Sequence, residues 1–211
     1  SLVFRKHHFA SIVNTGVDML EILKRLKWDL SLAQTRDVYV SWILRDIPGR
    51  LGIILRRKWY CSKFKKAGEN INILPGSVII NPQQIECEDN VSIGYFNYLQ
   101  ATGGIILKKD VMLGPYVKIW TQTHNYKSYD VPINKQGYNF SSVEIGEDVW
   151  IGANSFIMPG AKIGDKCIVS ACSVVSGKTY PQGFILAGYP ARKIGDRRPI
   201  EEENKNLMRA H

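Results

Sequence analysis

The stretch Ile145-Gly-Glu-Asp-Val-Trp, Ile151-Gly-Ala-Asn-Ser-Phe, Ile157-Met-Pro-Gly-Ala-Lys, Ile163-Gly-Asp-Lys-Cys-Ile, Val169-Ser-Ala-Cys-Ser-Val, Val175-Ser-Gly-Lys-Thr-Tyr repeats every six residues. Each hexad opens on a β-branched aliphatic residue. The fifth positions, Val149, Ser155, Ala161, Cys167, Ser173 and Thr179, are small or medium. A period of six suits neither a helix of 3.6 residues per turn nor a meander of hairpins. It suits a short extended segment and a turn, with the aliphatic side chain inward and the small one near the corner. Three segments close a triangular coil of about 18 residues, and coils stack about 4.8 Å apart. The predicted fold class is therefore all-β, a parallel β-solenoid that accumulates stability coil by coil.

A fainter copy lies upstream. Leu107, Leu113 and Ile119 take first positions, with Val111, Val117 and Thr123 four residues on. Cys87, Ile93 and Leu99 keep the same spacing before them, followed by Val91 and Asn97. The longer step from Leu99 to Leu107 predicts a bulge around Gly103-Gly104, and Ile73 and Ile79 are candidates to start the solenoid. Between Asn125 and Ser142 the pattern stops, and Tyr, Asn, Ser, Lys and Gly dominate. A break of that length inside a regular coil reads as a functional excursion from the prism.

The rest of the chain divides around this core. Helical spacing (Met19, Leu20, Leu23, Leu26, Leu30) runs from about Val17 to Leu32, and a second amphipathic stretch from Tyr39 to Tyr60, broken at Pro48-Gly49. These segments are expected to cap the open end of the solenoid, as a terminal repeat requires. The reading gives a mainly helical cap over 1–69, a solenoid over 70–198 with its excursion at 125–142, and a short C-terminal helix within 199–211.

Composition is that of a globular protein, 45% hydrophobic and 22% charged. No stretch reaches the roughly 18 apolar residues of a spanning helix. Ser1 to Lys6 lack the apolar region of a secretion signal, and although the chain does not begin with Met, the expected location is cytoplasmic. Cys61, Cys87, Cys167 and Cys172 show no C-x-x-C spacing and no neighbouring histidines, so free thiols and no metal site are expected. The net charge of +9 includes the runs Arg56-Arg57-Lys58, Lys63, Lys65-Lys66, Arg192-Lys193 and Arg197-Arg198. Such runs suit nucleic acid, an anionic membrane surface or phosphorylated ligands, and equally a solvated basic face. No zinc finger, RNA-binding aromatic motif or helix-turn-helix pattern accompanies them, which excludes nucleic acid from the expected partners. Weak membrane-surface association through the basic N-terminal segment is compatible with every functional reading below.

The hexads, the segment Trp120-Thr-Gln-Thr-His124-Asn125-Tyr126, the block Val149-Trp150-Ile151-Gly152-Ala153-Asn154 and the ending Ala187-Gly-Tyr-Pro-Ala-Arg192-Lys193-Ile194 together resemble the left-handed β-helix acyltransferases. Within that family the likeness is greatest to sugar and polysaccharide O-acetyltransferases, alongside maltose, galactoside and xenobiotic acetyltransferases, and it covers about residues 70–198. The resemblance implies a left-handed coil, a homotrimer, acetyl-coenzyme A as donor and a sugar or glycan precursor as acceptor.

It also implies roles for particular residues. His124 matches the family's catalytic histidine, a general base that takes the acceptor hydroxyl's proton during attack on the thioester, without an acyl-enzyme. Ala153, Ala171, Ser176 and Gly177 match positions that line the pantetheine arm, and small residues there let it approach the backbone. They serve a tight coil equally well. Arg192 and Lys193 match the region near the nucleotide phosphates, where a cation makes charge-assisted contacts. Some relatives carry Thr-Lys where this chain has Ser176-Gly177. The N–H of Ala153 is placed to steady the oxyanion, and Asn97, Trp120 and Tyr126 are the candidate acceptor-lining residues. Trp120 suits stacking on a sugar face and equally packing under the excursion.

His7 and His8 lie in the leader and His211 ends the chain, so no three-histidine zinc set falls in the repeat. Cys167, Cys172, Ser170, Ser173 and Ser176 read as core or corner residues. Two other functions fit the same fold: N-acetylation of a nucleotide-linked amino sugar or a xenobiotic, and a non-catalytic β-helix scaffold. A scaffold needs only the hexads, whereas this chain adds His124, the excursion and the Gly-Tyr-Pro-Ala-Arg ending.

Overall fold

The computed structural model describes residues 19–198. The chain divides into two compact units, Ser1–Ile43 and Leu44–His211. The first contains α1 (Met19–Ser31) and most of α2 (Ala33–Arg45). The Tyr39 hydroxyl donates to Asp29 at 2.9 Å and ties the two helices together. The second helix begins at Ala33 rather than Tyr39, because Ala33, Gln34 and Arg36 favour helix without extending the apolar repeat. The break at Pro48-Gly49 is where expected, and α3 (Gly49–Cys61) follows it. The predicted C-terminal helix lies outside the described residues, as do Val17 and Asp18.

The second unit is α3 and a parallel β-solenoid of about six coils. Its architecture is consistent with the left-handed β-helix that the resemblance implied. The strands form three faces. The first runs through Lys66–Ala67, Ile85–Cys87, Ile105–Leu107, Val143–Ile145, Lys162–Ile163 and Thr179–Tyr180. The second runs through Asn72–Ile73, Ser92–Ile93, Met112–Leu113, Trp150–Ile151, Ile168–Val169 and Phe184–Gly188, and ends on an antiparallel partner, Ala191–Asp196. The third runs through Val78–Ile80, Tyr98–Gln100, Lys118–Trp120, Phe156–Ile157 and Val174–Val175.

Register places the first-position residues directly above one another. Ile73, Ile93, Leu113, Ile151, Val169 and Leu186 form one column, and all are buried. Ile79, Leu99, Ile119, Ile157 and Val175 form a second on the third face. Fifth positions Val149, Ser155, Ala161, Cys167 and Ser173, expected near the corner, are fully buried. Thr179 is the exception. It is exposed and pairs with Lys162, while Tyr180 pairs with Ile163 and takes the first-position column where the count of six places Pro181. The step from Val175 to Tyr180 is one residue shorter than that from Ile157 to Ile163, which shifts the register there.

Several corners hold a residue at positive φ, among them Asn90, Asp110, Asp148 and Lys166 between the first and second faces. One corner is polar inside. The Ser77 hydroxyl donates to Gly94 O at 2.8 Å, and Asn97 Oδ1 accepts the Val117 N–H at 2.7 Å.

The end of the solenoid next to α3 is closed by Arg56. Its sequence context suggested a surface cation, yet it is fully buried. The guanidinium donates to Ile73 O at 2.8 Å, Ile47 O at 2.8 Å and Leu44 O at 3.0 Å. It thereby pins residues 44–47 and α3 to the first strand of the second face, while Tyr60 and Phe64 extend the apolar core below. Ile73 O can accept because the first coil has no further coil on this side to pair with.

Truncation in a column should be costly. Ile151→Ala removes a fully buried side chain between Leu113 and Val169 and should lower the unfolding free energy by about 2–5 kcal/mol in urea titration.

Candidate active site

The corner between the third and first faces is the irregular one. In one coil it is widened by the short 3-10 helix Pro82–Gln84, and in the next by Ala101 to Gly104, with Gly104 at φ +96°. In the third coil the chain leaves the prism altogether. Strand Gln122–His124 pairs antiparallel with Tyr138–Phe140, so the expected loop is a hairpin whose first arm starts before Asn125.

A buried polar cluster anchors this hairpin. Thr121 is fully buried, its hydroxyl donates to Gln100 O at 2.7 Å, and it accepts the Gly103 N–H at 2.8 Å. Gln100 Nε2 and Asn81 Nδ2 both donate to Thr102 Oγ1 at 2.6 Å. The Ser141 N–H returns to Thr121 O at 3.0 Å, where the hairpin rejoins the coil. A Cβ on Gly103 would sit 2.5 Å from Thr121 O, so only glycine lets the two strands approach this closely. At the tip, Gln136 donates to Ser128 O at 2.8 Å and Val131 O at 2.6 Å, and Asn125 Nδ2 donates to Gln136 O at 3.0 Å. The excursion is thus hydrogen-bonded at both ends.

His124 is exposed on the first arm, directly opposite Tyr138. The two rings lie 4.3 Å apart between centroids, tilted by 39°. Tyr138 was not singled out from the sequence. Its only signal was the alternation Tyr138-Asn-Phe140 after Gly137, which becomes informative once the hairpin register is known.

The acceptor candidates occupy different settings. Tyr126 is 68% exposed on the hairpin tip. Trp120 is half-buried and stacks between Tyr98 at 5.3 Å and Phe156 at 6.4 Å. Asn97 is 1% exposed with its carboxamide turned into the coil, which gives it a place in the interior.

The donor candidates fall at three places on one prism. Ala153 and Ala171 stack at the corner between the second and third faces, where Cys172 N–H donates to Ala153 O at 2.8 Å. A Cβ on Gly152 would lie 2.5 Å from Ala171 N, so successive backbones are in closest contact there. Ser176 and Gly177 lie at the hairpin's own corner, beside Pro159-Gly160. Arg192 and Lys193 lie on the last strand of the second face. Lys193 is held 2.9 Å from Asp196 and lies over the Phe184 ring. The Arg198 guanidinium, with Lys193, holds the Asp196 carboxyl well below the usual carboxylate range. Arg192 is exposed and has no carboxylate within ion-pair distance among the described residues.

The buried thiols are structural. All four cysteines are free thiols, and burial pushes Cys87 and Cys167 up, away from thiolate chemistry. A cavity of about 580 Å³ lies between the first and second faces, lined by Glu147, Asp165, Lys166 and Arg197. Arg197 is already paired with Asp148 at 3.3 Å, and none of the candidate residues lines the cavity.

With this geometry in place, residues 142–177 match the bacterial transferase hexapeptide family (six repeats). That match makes residues 142–177 a run of this family's hexapeptide repeats. It is 29% identical over 115 residues to a putative lipopolysaccharide biosynthesis O-acetyl transferase, WbbJ, of Escherichia coli K12, a match covering 50% of this chain and 57% of WbbJ. It is 29% identical over 149 residues to the galactoside O-acetyltransferase of the same organism, covering 68% of each. The chain thus spans little more than half the length of the first relative and about two thirds of the second. Three solved structures share the fold. A maltose O-acetyltransferase from Clostridium difficile 630 has a TM-score of 0.68 at 24% identity, covering 86% of this chain and 90% of that one. The Vibrio cholerae hexapeptide-repeat acetyltransferase VCA0836, complexed with acetyl coenzyme A, has 0.68 at 20%, covering 88% and 93%. The Bacillus cereus N-acyltransferase AntD, with a dTDP-amino sugar and coenzyme A, has 0.56 at 20%, covering 74% and 96%.

The ring contact at His124 is testable by itself. Tyr138→Ala should weaken the hairpin by about 0.5–1.5 kcal/mol and move the His124 ring-proton resonances downfield, while Tyr138→Phe should leave both unchanged.

Proposed function

We propose that this protein is an acetyl-coenzyme A-dependent O-acetyltransferase acting on a hydroxyl of a sugar or glycan precursor, with His124 as general base. The observation that carries the reading is the hydrogen-bonded hairpin, which leaves the coil and presents an exposed histidine against Tyr138. A scaffold gains nothing from such a device. Support for the acceptor class comes from the relatives named for lipopolysaccharide, galactoside and maltose O-acetylation, and support for the donor from the acetyl coenzyme A complex on the same fold.

The donor supplies an acyl carbon activated as a thioester. An acceptor hydroxyl is a weak nucleophile at neutral pH, so an imidazole nitrogen of His124 takes its proton as the oxygen attacks. The new C–O bond forms, the C–S bond breaks, and the proton passes from His124 to the departing sulfur. No acyl-enzyme is needed, and no buried thiol is positioned to form one. The Ala153 N–H steadies the oxyanion, and Trp120 and Tyr126 flank the acceptor.

The donor residues fit a groove more than a pocket. Ala153 and Ala171 keep one corner low where backbones are closest, Ser176 and Gly177 do so beside the hairpin, and Arg192 offers the phosphates an exposed cation. These places are apart on one prism, which suits a homotrimer whose grooves lie between adjacent prisms. Lys193 is the weaker phosphate ligand, because Asp196 already holds it. Acetyl-coenzyme A is a cytoplasmic metabolite, and the cytoplasm is the location this reading takes.

His124→Ala should cut turnover by about 10²–10⁴-fold in a thiol-release assay, and activity near wild type would remove it as the base. In the same assay, amino sugars outperforming hydroxyl acceptors would shift the reading to N-acetylation, the chemistry named for AntD. Arg192→Ala should raise the KM for acetyl-coenzyme A about tenfold or more and leave that for the 3′-dephospho analogue nearly unchanged.

A further inference from the structure

Charge is segregated along this chain. Residues 1–66 hold 14 of the 28 Lys and Arg but only 5 of the 19 Asp and Glu, whereas residues 67–211 hold 14 of each. The entire net charge of +9 therefore belongs to the segment before the first coil, and the solenoid with its tail is neutral.

Two helices in this segment combine that charge with exposed apolar side chains. On α3, the buried positions Gly52, Arg56 and Tyr60 define the face turned to the core. The opposite face carries Leu51, 62% exposed, and Ile54, 50% exposed, with Lys58 between them. Arg50 and Arg57 border that face, and α3 contains no carboxylate. The helix α1, in the other unit, also exposes apolar and basic side chains. Met19, Leu23, Leu26 and Leu30 share one exposed side, and Lys24, Arg25 and Lys27 lie elsewhere on it together with Glu21 and Asp29.

We infer that α3 is a docking surface for an anionic membrane. Lysine and arginine stems lie along apolar material while their charged heads stay at the headgroup level, and leucine and isoleucine enter the interface between them. Nucleic acid meets the charge but offers no apolar medium to Leu51 and Ile54, so the mixed face selects lipid over a polyanion in water. No described helix is long and apolar enough to cross a membrane, so the contact is peripheral. The inference is independent of the catalytic assignment, and its readout is binding alone.

Flotation of the full chain with phosphatidylglycerol-containing vesicles should bring it to the lipid fraction at low salt, and raised salt or pure phosphatidylcholine vesicles should release it. Arg57→Gln and Lys58→Gln should each weaken binding about fivefold. Leu51→Ser with Ile54→Ser should weaken it further while circular dichroism stays unchanged. Equal binding to phosphatidylcholine, no flotation at low salt, or indifference to all four substitutions would overturn the inference. So would a preference for single-stranded RNA over the anionic vesicles in competition.

Discussion

Each coil must set its inward side chains directly above those of the coil before, and most of the molecule follows from that register. Ile151 sits between Leu113 and Val169, and Ile119 between Leu99 and Ile157, so a column fails at any coil that supplies a polar or missing group. The interior is consequently a set of aliphatic stacks, with short polar side chains bonded to backbone at one corner and the Thr121 cluster at another. Such an interior has no room for chemistry. A coil about 4.8 Å thick leaves nowhere to bury a substrate, and any reactive group must stand on the outer surface or leave the prism.

The chain leaves at the corner where the register is least demanding. Two coils already carry extra residues there, at Pro82–Gln84 and at Ala101 to Gly104, so the columns tolerate insertions at this corner before the large one occurs. The departure still has to be specified, because a two-stranded hairpin alone is marginal in water. Thr121 supplies that specification. One buried hydroxyl bonds the backbone of the preceding coil through Gln100 and Gly103, and its own carbonyl receives Ser141 at the return. Removing it would leave buried donors and acceptors without partners, which costs more than a net hydrogen bond contributes. The direction of the arm bearing His124 is in this sense fixed from inside the coil, several residues before the imidazole.

The solenoid was readable from the sequence because its period is rigid and its inward residues are alike. What escaped depends on single residues whose neighbours are distant in the chain. Tyr138 looks like one more polar-loop aromatic until strand pairing sets it opposite His124. Arg56 stands in a basic run and reads as surface, but its acceptors are carbonyls at residues 44, 47 and 73, which no local pattern connects to it. Asn97 occupies a fifth position, and there burial overrode its polarity. Tyr180 took the first-position column in place of Pro181 because the corner before it is one residue short. Periodic features survive a one-dimensional reading, whereas a side chain whose meaning lies in its contact does not.

The same rigidity explains where the charge went. Along the faces, outward positions of successive coils lie close together, so like charges stacked there would repel, and the chain pairs them instead. Lys108 meets Glu144 at 3.1 Å across adjacent strands, and Lys65 meets Glu86 at 2.6 Å. A repeat built this way drifts towards neutrality, since each outward cation does best beside an outward anion. Helices before the first coil are free of that condition. They can hold a one-signed surface without straining the stack, and Arg56, a basic residue taken inside, joins that segment to the prism through hydrogen bonds to carbonyls and not through a countercharge. A strong field and a regular repeat are therefore kept on different parts of one chain because neither could be built well within the other.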